Sequence, residues 1–159
     1  MSGRAWAIRS ASVAAVGALC LAAVVMRSAA AEGVALDPDD AELVATGARL
    51  YAAECAACHG ASLEGQPEWR SPGPDGLWPA PPHDETGHTW HHDDATLFAL
   101  TKLGLAGVMG REAPASAMPA FDGVLTDDEI LAVLSYIKST WPEEVRQTHD
   151  ATNAQASGR

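Results

Sequence analysis

Cysteine, cations and strand patterning are what this sequence has least of. Only 3 cysteines occur in 159 residues, and just one pair of them lies close together. Half of a zinc site is therefore a poor reading, because no second cysteine pair stands at ligand spacing. Lys and Arg total 10 against 21 Asp and Glu, a formal net charge of −11. Such a surface rejects nucleic acid and anionic lipid and favours a basic partner patch. Alternating apolar and polar runs are almost absent, which leaves helices to build the fold. There is no internal repeat, catalytic triad, phosphate-cradling glycine loop or nucleic-acid motif. The paired acids Asp39-Asp40, Asp93-Asp94 and Asp127-Asp128 stand at helix starts, where the helix dipole accounts for them.

Residues 1–31 read as an address rather than as fold. Arg4 and Arg9 form a positive n-region, and Ser10 to Met26 is uncharged and rich in Ala, Val and Leu. Ala29-Ala30-Ala31 offers small residues to a signal peptidase, with Glu32 as the mature start. The apolar stretch is at the short edge of what spans a bilayer, so an uncleaved N-terminal membrane anchor is the competing reading. Cys20 lies inside it, and Leu19 before it is too large for a lipoprotein cleavage site. Removing Arg4, Arg9 and Arg27 with the leader leaves 7 cations against 21 acids, a net −14. The expected location is the periplasm, free or tethered to the inner membrane through residues 10–26. Only Cys55 and Cys58 then remain, and in an oxidising compartment they would bridge each other unless something else claims them.

That pair belongs to Cys55-Ala56-Ala57-Cys58-His59, the attachment pattern of a c-type haem. Positions i and i+3 share one face of a helical turn, so two thiols there can reach the two vinyl groups at one edge of a porphyrin. His59 then aims its imidazole at the iron. At this composition the pattern arises by chance in about two chains per thousand, so the match carries weight. A thioredoxin-type redox pair would want strand–helix–strand patterning around the motif, and none is found.

Around the motif the chain predicts three helices. Asp37-Pro38-Asp39-Asp40 is a start signal, with Asp37 as cap and Pro38 in the first turn. Leu43, Gly47, Leu50 and Tyr51 recur at helical spacing and lead into Cys55. Gly47 costs about 1 kcal/mol in a helix interior, and close approach by another helix would offset that. From Gly60 to His92 six of the ten prolines accumulate, at 67, 72, 74, 79, 81 and 82, which predicts a long ordered loop. Trp69, Trp78 and Trp90 weight it with apolar surface. A second helix is expected from Asp93 or Asp94 to Gly104, then a further loop to Pro119. The last helix opens on the capping box Thr126-Asp127-Asp128-Glu129 and carries one apolar stripe, Ile130, Val133, Leu134 and Ile137. Trp141-Pro142 ends it. Residues 143–159 are polar and without period, and are expected to be a disordered tail. The domain therefore spans 32–142. So few core segments are marginal alone, so a haem would complete the core and the apoprotein should be largely unfolded.

These features resemble class I, mitochondrial-type, monohaem c-type cytochromes. The resemblance rests on Gly47 and Tyr51 before Cys55-x-x-Cys58-His59, on Met118-Pro119 downstream, and on Val133 and Tyr136 in the final helix; it covers roughly Ala41 to Trp141. It implies the all-α cytochrome c fold, with three main helices and long loops wrapped around one covalent haem. It also implies single-electron transfer between exported redox partners, with Cys55 and Cys58 as thioethers and His59 as proximal iron ligand. In the family the first and last helices cross closely, here Gly47 opposite Val133 and Tyr136. A proline carbonyl orients the proximal histidine there, and both Pro74 and Pro81 are candidates. The chain is expected to be a carrier, or the cytochrome subunit of an oxidoreductase, rather than an enzyme by itself.

For the distal ligand the mature chain offers Met118 and Met109. Met118 precedes proline, so its backbone is extended and it belongs to no helical core stripe. It is the expected sixth ligand, with Met109 or a histidine as alternatives; soft sulfur there raises the reduction potential. An open sixth position would instead make a haem enzyme subunit or gas sensor. The least expected feature is His88-Thr89-Trp90-His91-His92 with His83 upstream. It reads as a copper or zinc module, as Trp90 or a histidine bonding the haem propionates, or as a loop with satisfied histidines.

Overall fold

The computed structural model describes residues 33–158. The chain divides into two units, Met1–Ala31 and Glu32–Arg159, and the described residues all fall in the second. The leader features, Cys20 among them, lie outside the described residues. Among those described, no helix is long and apolar enough to cross a membrane.

The fold is all-α, as expected. Helix α1, Ala41–Leu50, runs through a π turn at Tyr51–Cys55 into the short α2, Ala56–His59. Helix α3 is Asp94–Met109, α4 is Asp127–Ser139 and α5 is Glu143–Ser157. Short 3-10 turns at Thr89–His91 and Gly110–Glu112 flank α3.

The start of α1 lies three residues later than Asp37-Pro38 suggests. Asp40 is the cap, its carboxylate accepting from the Glu42 and Leu43 amides. Asp37 instead folds a turn, its side chain accepting from Asp39 and Asp40 at 3.1 and 3.2 Å, while its own amide donates to Ser135 Oγ at 3.0 Å. The tie to Ser135 on α4 spends Asp37 on tertiary structure.

Helices α1 and α4 cross at Gly47. A Cβ at that position would lie 1.9 Å from the Ala132 carbonyl oxygen and 2.8 Å from Tyr136 Cβ. Tyr136 is at the crossing as expected, but the backbone met is that of Ala132 rather than Val133. Val133 turns into the core with Ile130, Leu134 and Ile137, the stripe read from the sequence. The capping box of α4 is formed in both directions, Thr126 with Glu129. Tyr51, Leu97, Phe121 and Trp141 complete the core around α4.

Helix α3 passes the expected stop at Gly104, where the backbone leaves helical angles (φ 70°, ψ 168°) and then resumes to Met109. Asp93 caps α3 by accepting from the Thr96 amide at 3.0 Å. The larger correction is residues 143–157. They form α5, not a disordered tail, and polar ties join the contact of Val145 with the core in holding it. Asn153 and Asp94 exchange two hydrogen bonds, at 2.8 and 3.1 Å, Lys138 pairs with Asp150 at 2.6 Å, and His149 is fully buried against the Trp141 ring. One buried imidazole and two polar ties leave no apolar period to read.

Candidate haem site

The π turn fits one extra residue into the helix where the motif begins, at Cys55. Cys55 and Cys58 follow at one-turn spacing, Cys55 half-buried and Cys58 exposed, both as free thiols. Burial, with Glu54 and Cys58 adding to it, pushes the Cys55 thiol up to about 11. That shift keeps Cys55 from acting as the reactive thiolate of a redox pair.

His59 closes α2 and is 7% exposed. Its Nδ1–H donates to the Pro81 carbonyl at 2.8 Å. That assigns the orienting role to Pro81 rather than Pro74, and leaves Nε2 with its lone pair. Burial lowers the His59 pKa, with the Pro81 bond partly opposing, so the ring is neutral and able to bind a metal. The Tyr51 hydroxyl donates to the Gly60 carbonyl at 2.9 Å and fixes the backbone just past His59.

The proline-rich loop is ordered by its own backbone ties. The Gly65 amide donates to the His59 carbonyl at 2.7 Å, Gln66 to Ala80 at 2.8 Å, and His83 to Leu63 at 2.8 Å. Its two limbs meet at Gly65, φ +69°, where a Cβ would lie 2.4 Å from Pro82 N. Any side chain there would push Pro81 off His59.

Met118 is partly buried, packs against the core, and lines a cavity of about 400 Å³ with Leu103, Gly104 and Ala120. Its amide donates to Ser116 Oγ at 3.1 Å. Met109 ends α3 and is 48% exposed. Trp78, Leu103 and Val108 are also exposed on the surface at 40 to 46%. The donor set, a neutral buried imidazole with a free Nε2 beside two thiols at one-turn spacing, together with apolar side chains left uncovered, fits a covalently bound tetrapyrrole.

Among the described residues no three His, Cys, Asp or Glu side chains are grouped to hold an ion. Three imidazoles stack on separate rings, His88 on Trp69 at 5.2 Å, His91 on Trp90 at 3.7 Å and His83 on His59 at 4.0 Å, while His92 meets His88 edge-on at 5.5 Å. Trp90 Nε1 donates to the Glu85 carbonyl at 3.3 Å. The stack of His83 on His59 joins the cluster to the haem motif, and periodicity gave no sign of it because the loop between them sets it.

Comparison with known proteins agrees with this geometry. The Cytochrome c family model matches residues 44–141. A cbb3-type cytochrome c oxidase subunit, FixP, from Bradyrhizobium sp. (strain ORS 278), is 33% identical over 96 residues, which is 60% of this chain and 27% of that protein. The chain thus spans about a quarter of the length of that curated relative. No solved structure matches the chain.

Proposed function

The chain belongs to the cytochrome c family, with one covalent haem c and its iron, and from that premise we propose that it is an exported single-electron carrier in which Cys55 and Cys58 hold the haem while His59 and Met118 ligate the iron from opposite sides. When bound, the haem supplies an iron that alternates between ferrous and ferric states. The observation that carries the reading is the His59–Pro81 hydrogen bond. It commits Nδ1, sets the tautomer and leaves Nε2 as the donor toward the iron. Met118 is favoured over Met109 because it is partly enclosed beside a cavity, whereas Met109 faces solvent. A thioether there fills the sixth position and favours the reduced state.

The acidic surface suits a donor or acceptor with a basic docking patch, and such an exchange slows as salt screens the pair. The likeness to an oxidase subunit supports a second placement, as the cytochrome subunit of an exported oxidoreductase. Purification of the full chain with its partners separates the two. The ligand assignment is tested by Met118→Ala. The far-red absorption band that reports iron–sulfur ligation should vanish, and the reduced protein should gain carbon monoxide binding that the native carrier resists. Survival of the band in the variant would sink Met118 as ligand.

A further inference from the structure

We propose that His83 is a positioning residue that sets the plane of the His59 imidazole and, through it, the electronic structure of the iron. The inference rests on the reading above that His59 is the axial ligand. The two rings lie with centroids 4.0 Å apart and planes within 19° of parallel. A hydrogen bond from Nδ1 to a carbonyl fixes the tautomer, but carbonyl oxygens accept over a broad range of directions. A flat ring stacked on the imidazole face blocks the rotation that such a bond permits, since the edge of His59 would turn into its neighbour.

The stack works as a stop only if His83 is itself immobile, and it is held at three points. Its amide donates to the Leu63 carbonyl at 2.8 Å and its carbonyl accepts from Trp141 Nε1 at 2.7 Å. Its ring Nδ1 lies 2.8 Å from Thr89 Oγ1. The Tyr51 ring meets it edge-on at 6.3 Å. Pro81 and His83 sit two residues apart, so one short segment supplies both the acceptor that points His59 and the surface that stops its rotation. The orientation of an axial imidazole decides which iron dπ orbital it overlaps. A fixed plane therefore gives one low-spin ferric species, and a loose plane gives several.

The test uses the full haem-loaded protein and three variants: His83→Leu, His83→Phe and Thr89→Val. Haem content is read first by pyridine haemochrome; a native protein without thioether-bound haem, or without a histidine on its iron, overturns the underlying reading and this inference with it. In ferric protein, His83→Leu should shift the haem-methyl proton resonances and broaden or split the largest electron-paramagnetic g value. His83→Phe, which keeps a flat face, should restore a single species. Thr89→Val, which frees the His83 ring nitrogen and the longer tie to the Pro82 carbonyl but keeps the stacked ring, should give a smaller shift of the same kind. Should His83→Leu fail to load haem, Thr89→Val decides. Unchanged methyl resonances and g values in the loaded non-aromatic variant, or in Thr89→Val where that variant decides, would overturn the proposal.

Discussion

Replacing Gly47 by alanine puts the helix crossing to a direct test. Alanine is the better helix former by about 1 kcal/mol, so α1 alone would be more stable with it. The crossing opposes that gain. The added Cβ lies 1.9 Å from the Ala132 carbonyl oxygen, 2.5 Å from its carbon and 2.8 Å from Tyr136 Cβ. A carbon and a carbonyl oxygen need about 3.3 Å, so the two helices must part by roughly 1.4 Å. A side chain could turn aside, but the obstacle here is backbone inside a hydrogen-bonded helix. Moving α4 also disturbs Ile130, Val133, Leu134 and Ile137, which pack from its other face. Overpacking of this kind costs about 1–3 kcal/mol, and a backbone obstacle puts it at the upper end.

Subtracting the propensity gain leaves a net loss of about 2 kcal/mol, or roughly 6–10 °C in Tm for a domain of this size. Thermal melting of the haem-loaded variant, followed by circular dichroism, reads it. Gly33→Ala is the control, since a Cβ there meets nothing within 4 Å. It should stay within about 0.5 kcal/mol of the parent. A Gly47→Ala protein as stable as the parent, or more so, would refute the claim that this glycine exists for the crossing.

Two further outcomes concern α5. Asn153→Ala removes both hydrogen bonds to Asp94, a side chain that still accepts from the Leu36 amide at 2.9 Å; unfolding in urea should show a loss of about 1–3 kcal/mol, and an unchanged midpoint would mean that α5 is held otherwise. His149 should make stability fall with acid. Burial first, and Lys138 second, lower its pKa, with Asp94 and Asp150 partly offsetting. The folded state then binds fewer protons than the unfolded one below pH about 6.5, so stability declines as pH drops through that value, by up to about 1.4 kcal/mol per pH unit. His83, His88 and His92 shift in the same direction and set a background. His149→Phe should flatten the slope between pH 7 and 5.5; an unaltered slope would remove His149 from the account.

What could be read from residues alone follows the range of the interactions involved. The α4 stripe, its capping box and the Cys55-Cys58-His59 turn are local, and their spacing carries them. The choice between Pro74 and Pro81 is not local. It depends on the backbone ties Gln66 to Ala80 and His83 to Leu63, which bring Pro81 onto His59 across 22 residues. Composition showed that the loop is neither helix nor strand but could not say which of its prolines faces His59. The histidine cluster misleads for a related reason. Closeness in sequence suggested one shared ion, yet in space His83, His88 and His91 each stack on a different ring, and His83 pairs outside the cluster with His59.

Helix α5 shows the same limit from the other end. Its inward face is one buried histidine with a half-buried valine, Val145, and asparagine, so no apolar period marks it, and a polar segment after Trp141-Pro142 reads as tail. Trp141 is what makes it part of the domain. Its indole nitrogen donates to the His83 carbonyl while its ring packs edge-on against His149 at 5.1 Å. One side chain at the end of α4 therefore holds both the clamp on His59 and the dock of α5. The matched family region stops at residue 141, on that tryptophan. The helix beyond it packs on the same tryptophan that holds the His83 carbonyl, so α5 docks on a residue already tied to the His83–His59 stack.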